Sequence, residues 1–286
     1  MASPKKRDPY AAFPADAPSE LVDGYSRLHK AASLDDVDEL ARLLALPGCD
    51  PNIRDILNGL TPLAEAAWSG AASCVDLLLA DDRVDVEQAD TLGRTPLIFA
   101  AEMGHLPILK TLSKVADISR VSTGSHPGNA LMAAAGGKNA ACVKFLSTLI
   151  DPKAKATDGS TALMHAADGG LLACVRFLVP LSDVQATNNK GQNAFMRAAL
   201  MDRKRAMLEL LPTCDPFLQD ADGADALALA RQAAESRLDA DPHSPLMETA
   251  VFLVAYTRAL KEMSQIAHNA MGQDVASANA ASRPRL

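Results

Sequence analysis

Apolar residues along this chain recur on two periods at once. On the short one, Leu63 and the pair Ala66–Ala67 stand three and four residues apart, the spacing of one helix face. The same spacing joins Leu97 to Ala100–Ala101, Leu131 to Ala134–Ala135 and Leu163 to Ala166–Ala167. On the long period the whole stretch returns. SRLHKAA, TPLAEAA, TPLIFAA, NALMAAA, TALMHAA, NAFMRAA and DALALAR align on Leu28, Leu63, Leu97, Leu131, Leu163, Phe195 and Leu227, at intervals of 32 to 35 residues. Two more columns keep this register. Twelve residues past the first six anchors come Leu40, Val75, Leu109, Val143, Val175 and Met207; fifteen past come Leu43, Leu78, Leu112, Leu146, Leu178 and Leu210. Each unit therefore predicts two short helices, the second carrying CVDLLL, CVKFL or CVRFL.

The punctuation agrees with the period. Thr61, Thr95 and Thr161 occupy N-cap positions, and Pro62 and Pro96 follow where a missing N–H costs nothing. Gly70, Gly104 and Gly170 end the first helix and permit a left-handed turn. Polar linkers such as DTLG, ATDG, NNKG and DADG lead to the next anchor with tight-turn composition.

This order of turn, short helix, loop and second helix resembles the ankyrin repeat, whose period is about 33 residues. The resemblance covers roughly residues 25–235, with TPLIFAAEMGH (95–105) the nearest match and His29 standing at the motif's histidine. Unit 4 enters through a looser STGSHPGNAL, unit 6 lacks the helix-ending glycine, and unit 7 has Arg231 in place of its second alanine. The variant TALMxAA…CVxxL is also similar to ankyrin families of flagellated protists such as diplomonads, many members of which are linked to flagellar or attachment-disc cytoskeleton. The implied fold is all-α: an ankyrin-repeat α-solenoid of about seven helix-turn-helix units with a C-terminal capping helix. No unit buries its apolar face alone, so the stack is the domain.

Boundaries follow from composition. Residues 1–20, rich in Pro, Ala and charge, predict a disordered arm, and 21–238 hold the repeats. Residues 239–270 carry Leu246, Ala250, Leu253, Tyr256, Leu260, Met263 and Ala267 at helical spacing, as expected of a capping helix or one that docks to a partner. Residues 271–286 are expected to be a flexible tail.

Composition narrows the function. Apolar residues make up 48% but aromatics only 4%, which suits closely spaced helices with thin side chains between them. A net charge of −7 argues against general nucleic-acid affinity. The charge is segregated: residues 34–90 hold thirteen acids and three bases, and 103–214 hold thirteen bases and seven acids. The absence of an apolar run of about 18 residues predicts no membrane span, and five cysteines without framework spacing fit a reducing, cytoplasmic setting.

Residues 158–179, DGSTALMHAADGGLLACVRFLV, place His165 and Cys174 close enough in sequence to suggest chemistry. The columns argue otherwise. His165 shares its position with Lys30, Glu65, Phe99, Ala133, Arg197 and Leu229, a variable set expected on an exposed wall facing a partner. Cys174 shares its column with Cys74, Cys142, Ile108 and Ala206, which asks for a small apolar group. Equivalent positions in neighbouring repeats lie about 10 Å apart, too far for a disulfide. Met132, Met164 and Met196 read as gap-fillers. Phosphate-loop, dinucleotide, zinc-protease and esterase signatures are missing, so neither catalysis, cofactor nor metal is expected.

The expected activity is therefore non-enzymatic: a scaffold or adaptor that binds one or more proteins on its concave surface. The alternative is a structural component of a cytoskeletal assembly, flagellar or microtubule-associated. On the inner helices the candidate contacts are Glu65, Trp68, Phe99, Glu102, Met103, His165 and Arg197; at the turn tips they are Arg54, Asp55, Asn58, Thr91, Arg94, Asn188, Lys190 and Gln192.

Overall fold

A computed structural model describes residues 9–13, 17–22, 24–124, 127–137, 139–240 and 252–256. A two-residue antiparallel hairpin, β1 (Leu21–Val22) and β2 (Tyr25–Ser26), opens the stack. Six helix pairs follow: α1 (Arg27–Ser33) with α2 (Val37–Leu44), α3 (Pro62–Ser69) with α4 (Ala72–Leu79), and α5 (Pro96–Met103) with α6 (Leu106–Leu112). Then come α7 (Ala130–Gly136) with α8 (Ala140–Leu146), α9 (Ala162–Gly169) with α10 (Leu172–Leu178), and α11 (Ala194–Leu200) with α12 (Lys204–Leu210).

The first helices pack side by side in one layer, α1 through α11, and the second helices form the other. Leu63, Leu97, Leu131 and Leu163 lie sealed between the layers, and the alanine pairs beside them are buried against the neighbouring inner helix. Together with the columns of Leu78 and Val75 they form one continuous core. Thin side chains allow this. Helices of seven or eight residues are marginal alone in water, so their stability comes from this packing.

Side-chain caps mark where most of the first helices begin. The Thr61 and Thr161 hydroxyls accept from the N–H groups of Ala64 and Met164, and the Asn129 and Asn193 side-chain oxygens do the same for Met132 and Met196. Thr95 sits at the cap of α5 without a side-chain bond. Gly70, Gly104 and Gly170 take the left-handed C-cap conformation. In units 1 and 6, which lack that glycine, Asp35 (φ +54°) and Asp202 (φ +56°) supply the positive φ, aspartate being one of the few side chains that tolerates it.

The ends are less regular than the middle. Of the seventh unit the described residues show one 15-residue helix, α13 (Ala226–Ala240), which lies against α11. Ala226, Leu229 and Ala230 face the stack, while the anchor Leu227 is only partly buried and Arg231 is exposed. The arm expected to be disordered is packed at Tyr10 and Pro18, while Pro9, Ala11, Ala12 and Glu20 are exposed. Tyr10 is buried, its hydroxyl donates to Asp36 Oδ2 at 2.6 Å, and the Arg27 guanidinium sits 4.8 Å from its ring centre. An aromatic residue in a Pro- and Ala-rich segment finds a partner the composition does not reveal. Beyond α13, residues 252–256 are helical and Leu253 is buried; the rest of the expected capping helix and the tail lie outside the described residues.

Candidate partner-binding surface

The concave side is made of turn tips and the outward face of the inner helices. At the tips one device repeats. The Asp90 carboxylate accepts from the N–H groups of Leu92 and Arg94, and the Asp55 carboxylate from those of Asn58 and Gly59. The Asn188 amide oxygen accepts from Lys190 and Gln192 N–H in the same way. Asp55 and Asn188 are therefore buried turn-formers, not the partner contacts expected of them. Gln192 is buried too, with its amide donating to Asp220 at 3.4 Å. Arg54, Asn58, Thr91 and Lys190 are exposed as expected. Single backbone bonds join successive tips: Thr91 N–H to Asn58 at 2.9 Å, Thr123 to Leu92 at 3.0 Å, Asn189 to Asp158 at 2.8 Å and Ala221 to Lys190 at 2.9 Å.

The variable inner-helix column is less open than its variability implies. Phe99 is only 2% exposed. The Arg94 guanidinium lies 4.5 Å from its ring centre and the Trp68 ring 6.4 Å from it, so two neighbours roof it. Arg94 in turn pairs with Asp90 at 2.9 Å and Glu102 at 3.6 Å. Glu65 is buried as well; burial pushes its carboxyl above the usual range, and the Tyr25 hydroxyl and Ser69 lie within hydrogen-bonding reach. Trp68 (43%) and Met103 (41%) do stand exposed on this wall. Further along, half-buried Arg197 on α11 grips Asp168 on α9 with two nitrogens, at 3.0 and 2.5 Å. His165 is half-buried beside them, and with Glu102 and Asp168 it walls an open notch of about 350 Å³.

His165 and Cys174 do not converge on anything. His165 faces the groove, whereas Cys174 is fully buried in the core and burial pushes its thiol up to about 11. Among the described residues, no group of three or more His, Cys, Asp or Glu is placed to hold a metal ion, and no helix is long and apolar enough to cross a membrane.

Several surface residues escape the sequence pattern. Asp168 and Arg203 stand in columns that mix polar and apolar residues, Asp168 with Trp68, Glu102 and Gly136, and gain meaning only from the pairing across helices. Ile56, Leu57 and Leu92 are exposed at the tips; large apolar side chains in otherwise polar linkers were the available signal.

The family model for ankyrin repeats, in three copies, matches residues 28–122 and 130–220, more than half of the chain. The chain belongs to the ankyrin-repeat family. A 91-residue stretch of this ankyrin-repeat protein is 43% identical to Protein PhlB of Serratia liquefaciens, covering 32% of this chain and 39% of that protein. Over 91 residues it is 42% identical to the SMC5-SMC6 complex localization factor protein 1 of Bos taurus, covering 31% of this chain and 8% of that one. The human protein of that name matches to the same extent. The similarity thus spans well under two thirds of each of these relatives. The crystal structure of the human ASB11 ankyrin repeat domain superposes on 80% of this chain and 97% of its own length, with a TM-score of 0.62 and 22% identity. That likeness concerns the fold alone.

Proposed function

We propose that this chain is a scaffold or adaptor that binds another protein along its concave surface. Ankyrin repeats are generally protein-binding and typically non-catalytic. The observation that carries the finer reading is the exposure of Trp68 and Met103, two large apolar side chains on neighbouring inner helices, beside the buried Phe99. Both are held on short helices packed into a continuous core, so they present apolar area with little ordering cost; tryptophan so placed is a favoured binding anchor. Arg54, Asn58, Thr91 and Lys190 at the tips supply the polar rim.

Affinity purification from the native cell with the full chain and with the Trp68→Ala/Met103→Ala variant tests this. The recovered partner is expected to be lost from the variant. A partner that stays bound at equal yield would remove the concave wall from the binding surface. The cytoskeletal alternative draws on no feature of the fold or of the relatives named above, so a tagged chain is expected in a detergent-extractable pool.

A further inference from the structure

The middle of the concave groove is missing side chains. At the position where other inner helices carry Trp68, Glu102 and Asp168, α7 has Gly136. Neither fold nor backbone demands glycine there. Its φ is not positive, and a Cβ would meet nothing nearer than the His165 ring nitrogen Nδ1 at 3.9 Å. Its neighbours differ: a Cβ on Gly137 would strike the Glu102 carbonyl oxygen at 2.0 Å, and one on Gly169 the Gly136 carbonyl at 2.9 Å. Gly136 therefore leaves open the notch of about 350 Å³, floored by Ala133 and glycine backbone and edged by Met201. That space accepts one large apolar side chain.

Its two ends differ in charge. Glu102, already beside Arg94, marks one end. At the other, Arg203 is oriented by its Nε, which donates to the Asp168 carbonyl oxygen at 2.9 Å. Arg203 also lines an adjoining depression of about 250 Å³ with Asp202, Lys204 and Arg205. Arg197 neutralises Asp168, so three cations face one carboxylate on this step.

We propose that notch and step together form a docking site for a linear acidic segment of a partner protein, with one bulky apolar side chain seated over Gly136 and carboxylates on Arg203, Lys204 and Arg205. The proposal rests on the concave-surface reading and narrows it to one chemistry. Opposite charges set the register of such a segment and speed its capture.

The test is selection of random dodecapeptides displayed on phage against the full chain, followed by fluorescence anisotropy of the enriched sequences as synthetic peptides. Enriched peptides are expected to carry Phe, Trp or Leu next to a run of Asp or Glu. Gly136→Leu, which fills the notch, and Arg203→Glu/Arg205→Glu are each expected to weaken them about tenfold or more. Gly136→Ala should melt no lower than the wild type and keep affinity within about twofold, since alanine is the better helix former. If Gly136→Leu does not fold, the charge-reversed pair carries the test. Enriched peptides without acidic residues, equal binding to the variants, or no enrichment would overturn the proposal. So would a single-stranded DNA oligonucleotide displacing the peptides at equal affinity. Peptides lost on Trp68→Ala/Met103→Ala but kept by Gly136→Leu would sink the notch and leave the concave reading standing; peptides indifferent to both sets would sink both.

Discussion

The imidazole of His29 ties α1 to the turn ahead of α3: its Nε2 lies 2.9 Å from the carbonyl oxygen of Leu60. On the other side Nδ1 lies 2.7 Å from the Ser26 hydroxyl and receives the Ser26 N–H. One neutral tautomer, protonated at Nε2, satisfies all three contacts. A second proton would place N–H against N–H. Burial pushes the pKa of His29 below its ordinary value of 6.5. The unfolded chain therefore takes up this proton more readily than the folded one, so the site's contribution is complete above pH 6.5 and is lost as pH falls through that value toward the lowered one. Glu65, whose carboxyl is raised by burial, has the opposite sign: its contribution is present below the ordinary 4.5 and lost as pH rises. Urea midpoints at about pH 7.5 and about pH 5.5 should fall for the wild type more than for His29→Gln. Equal falls would show that another group governs this window.

Phe99 and Trp68 touch, yet their truncations should separate. Phe99→Ala opens a hole in the core and is expected to cost about 3–5 kcal/mol, whereas Trp68→Ala, exposed on one face, should cost about 1 kcal/mol or less. Denaturant titration of the two variants checks this. A small loss for Phe99→Ala would mean that Arg94 and Trp68 close over the gap.

Glycine-to-alanine changes at two left-handed positions should be unequal. Gly48 (φ +75°) has nothing within 4 Å of a new Cβ, while at Gly104 (φ +83°) the Cβ would overlap the Asn139 amide that caps α8. Gly48→Ala is expected to cost about 1 kcal/mol of backbone strain, and Gly104→Ala about 2–3 kcal/mol with the loss of the cap added. Melting temperatures in that order support the account; the reverse order refutes it.

Cys74, Cys142 and Cys174 are fully enclosed, and burial pushes their thiols up to about 12, 11 and 11. Since the thiolate is the reactive form, an aromatic disulfide reagent should leave all three unmodified in the native chain at neutral pH and modify them at the rate of unfolding. Mass spectrometry after timed exposure measures it. Fast labelling of Cys174 would reveal an opening between α9 and α10 that the packing does not provide.

The repeat itself was open to reading because its determinants are local and recur. Leu63, Leu97, Leu131 and Leu163 are buried as their spacing demands, and Met132, Met164 and Met196 fill the interior as expected of methionine. The surface was harder. Variation in the column of Glu65, Phe99 and His165 suggested exposure, but Phe99 is covered by side chains from other positions, Arg94 in its own turn and Trp68 in the preceding unit. Asp55 and Asn188 look like polar tips until their hydrogen bonds show them folded inward. A residue's column tells which way its helix points it; who leans over it depends on a neighbour some thirty positions away. The length of α13 has a local cause: seven past its anchor stands Ala234, in place of the glycine of units 2, 3 and 5 or the aspartate of units 1 and 6, so the helix runs on.

The backbone bonds between successive turn tips have a mechanical consequence. They run along the axis of the array, so tension applied at the two ends loads them in series and not in parallel. Each junction gives way at the force of one or two bonds, the second where the Asn189 amide also donates to the Thr157 carbonyl, which makes the tip side of the molecule extensible while the alanine-lined helices resist, and a pull should flatten the curve of the groove before it separates any unit.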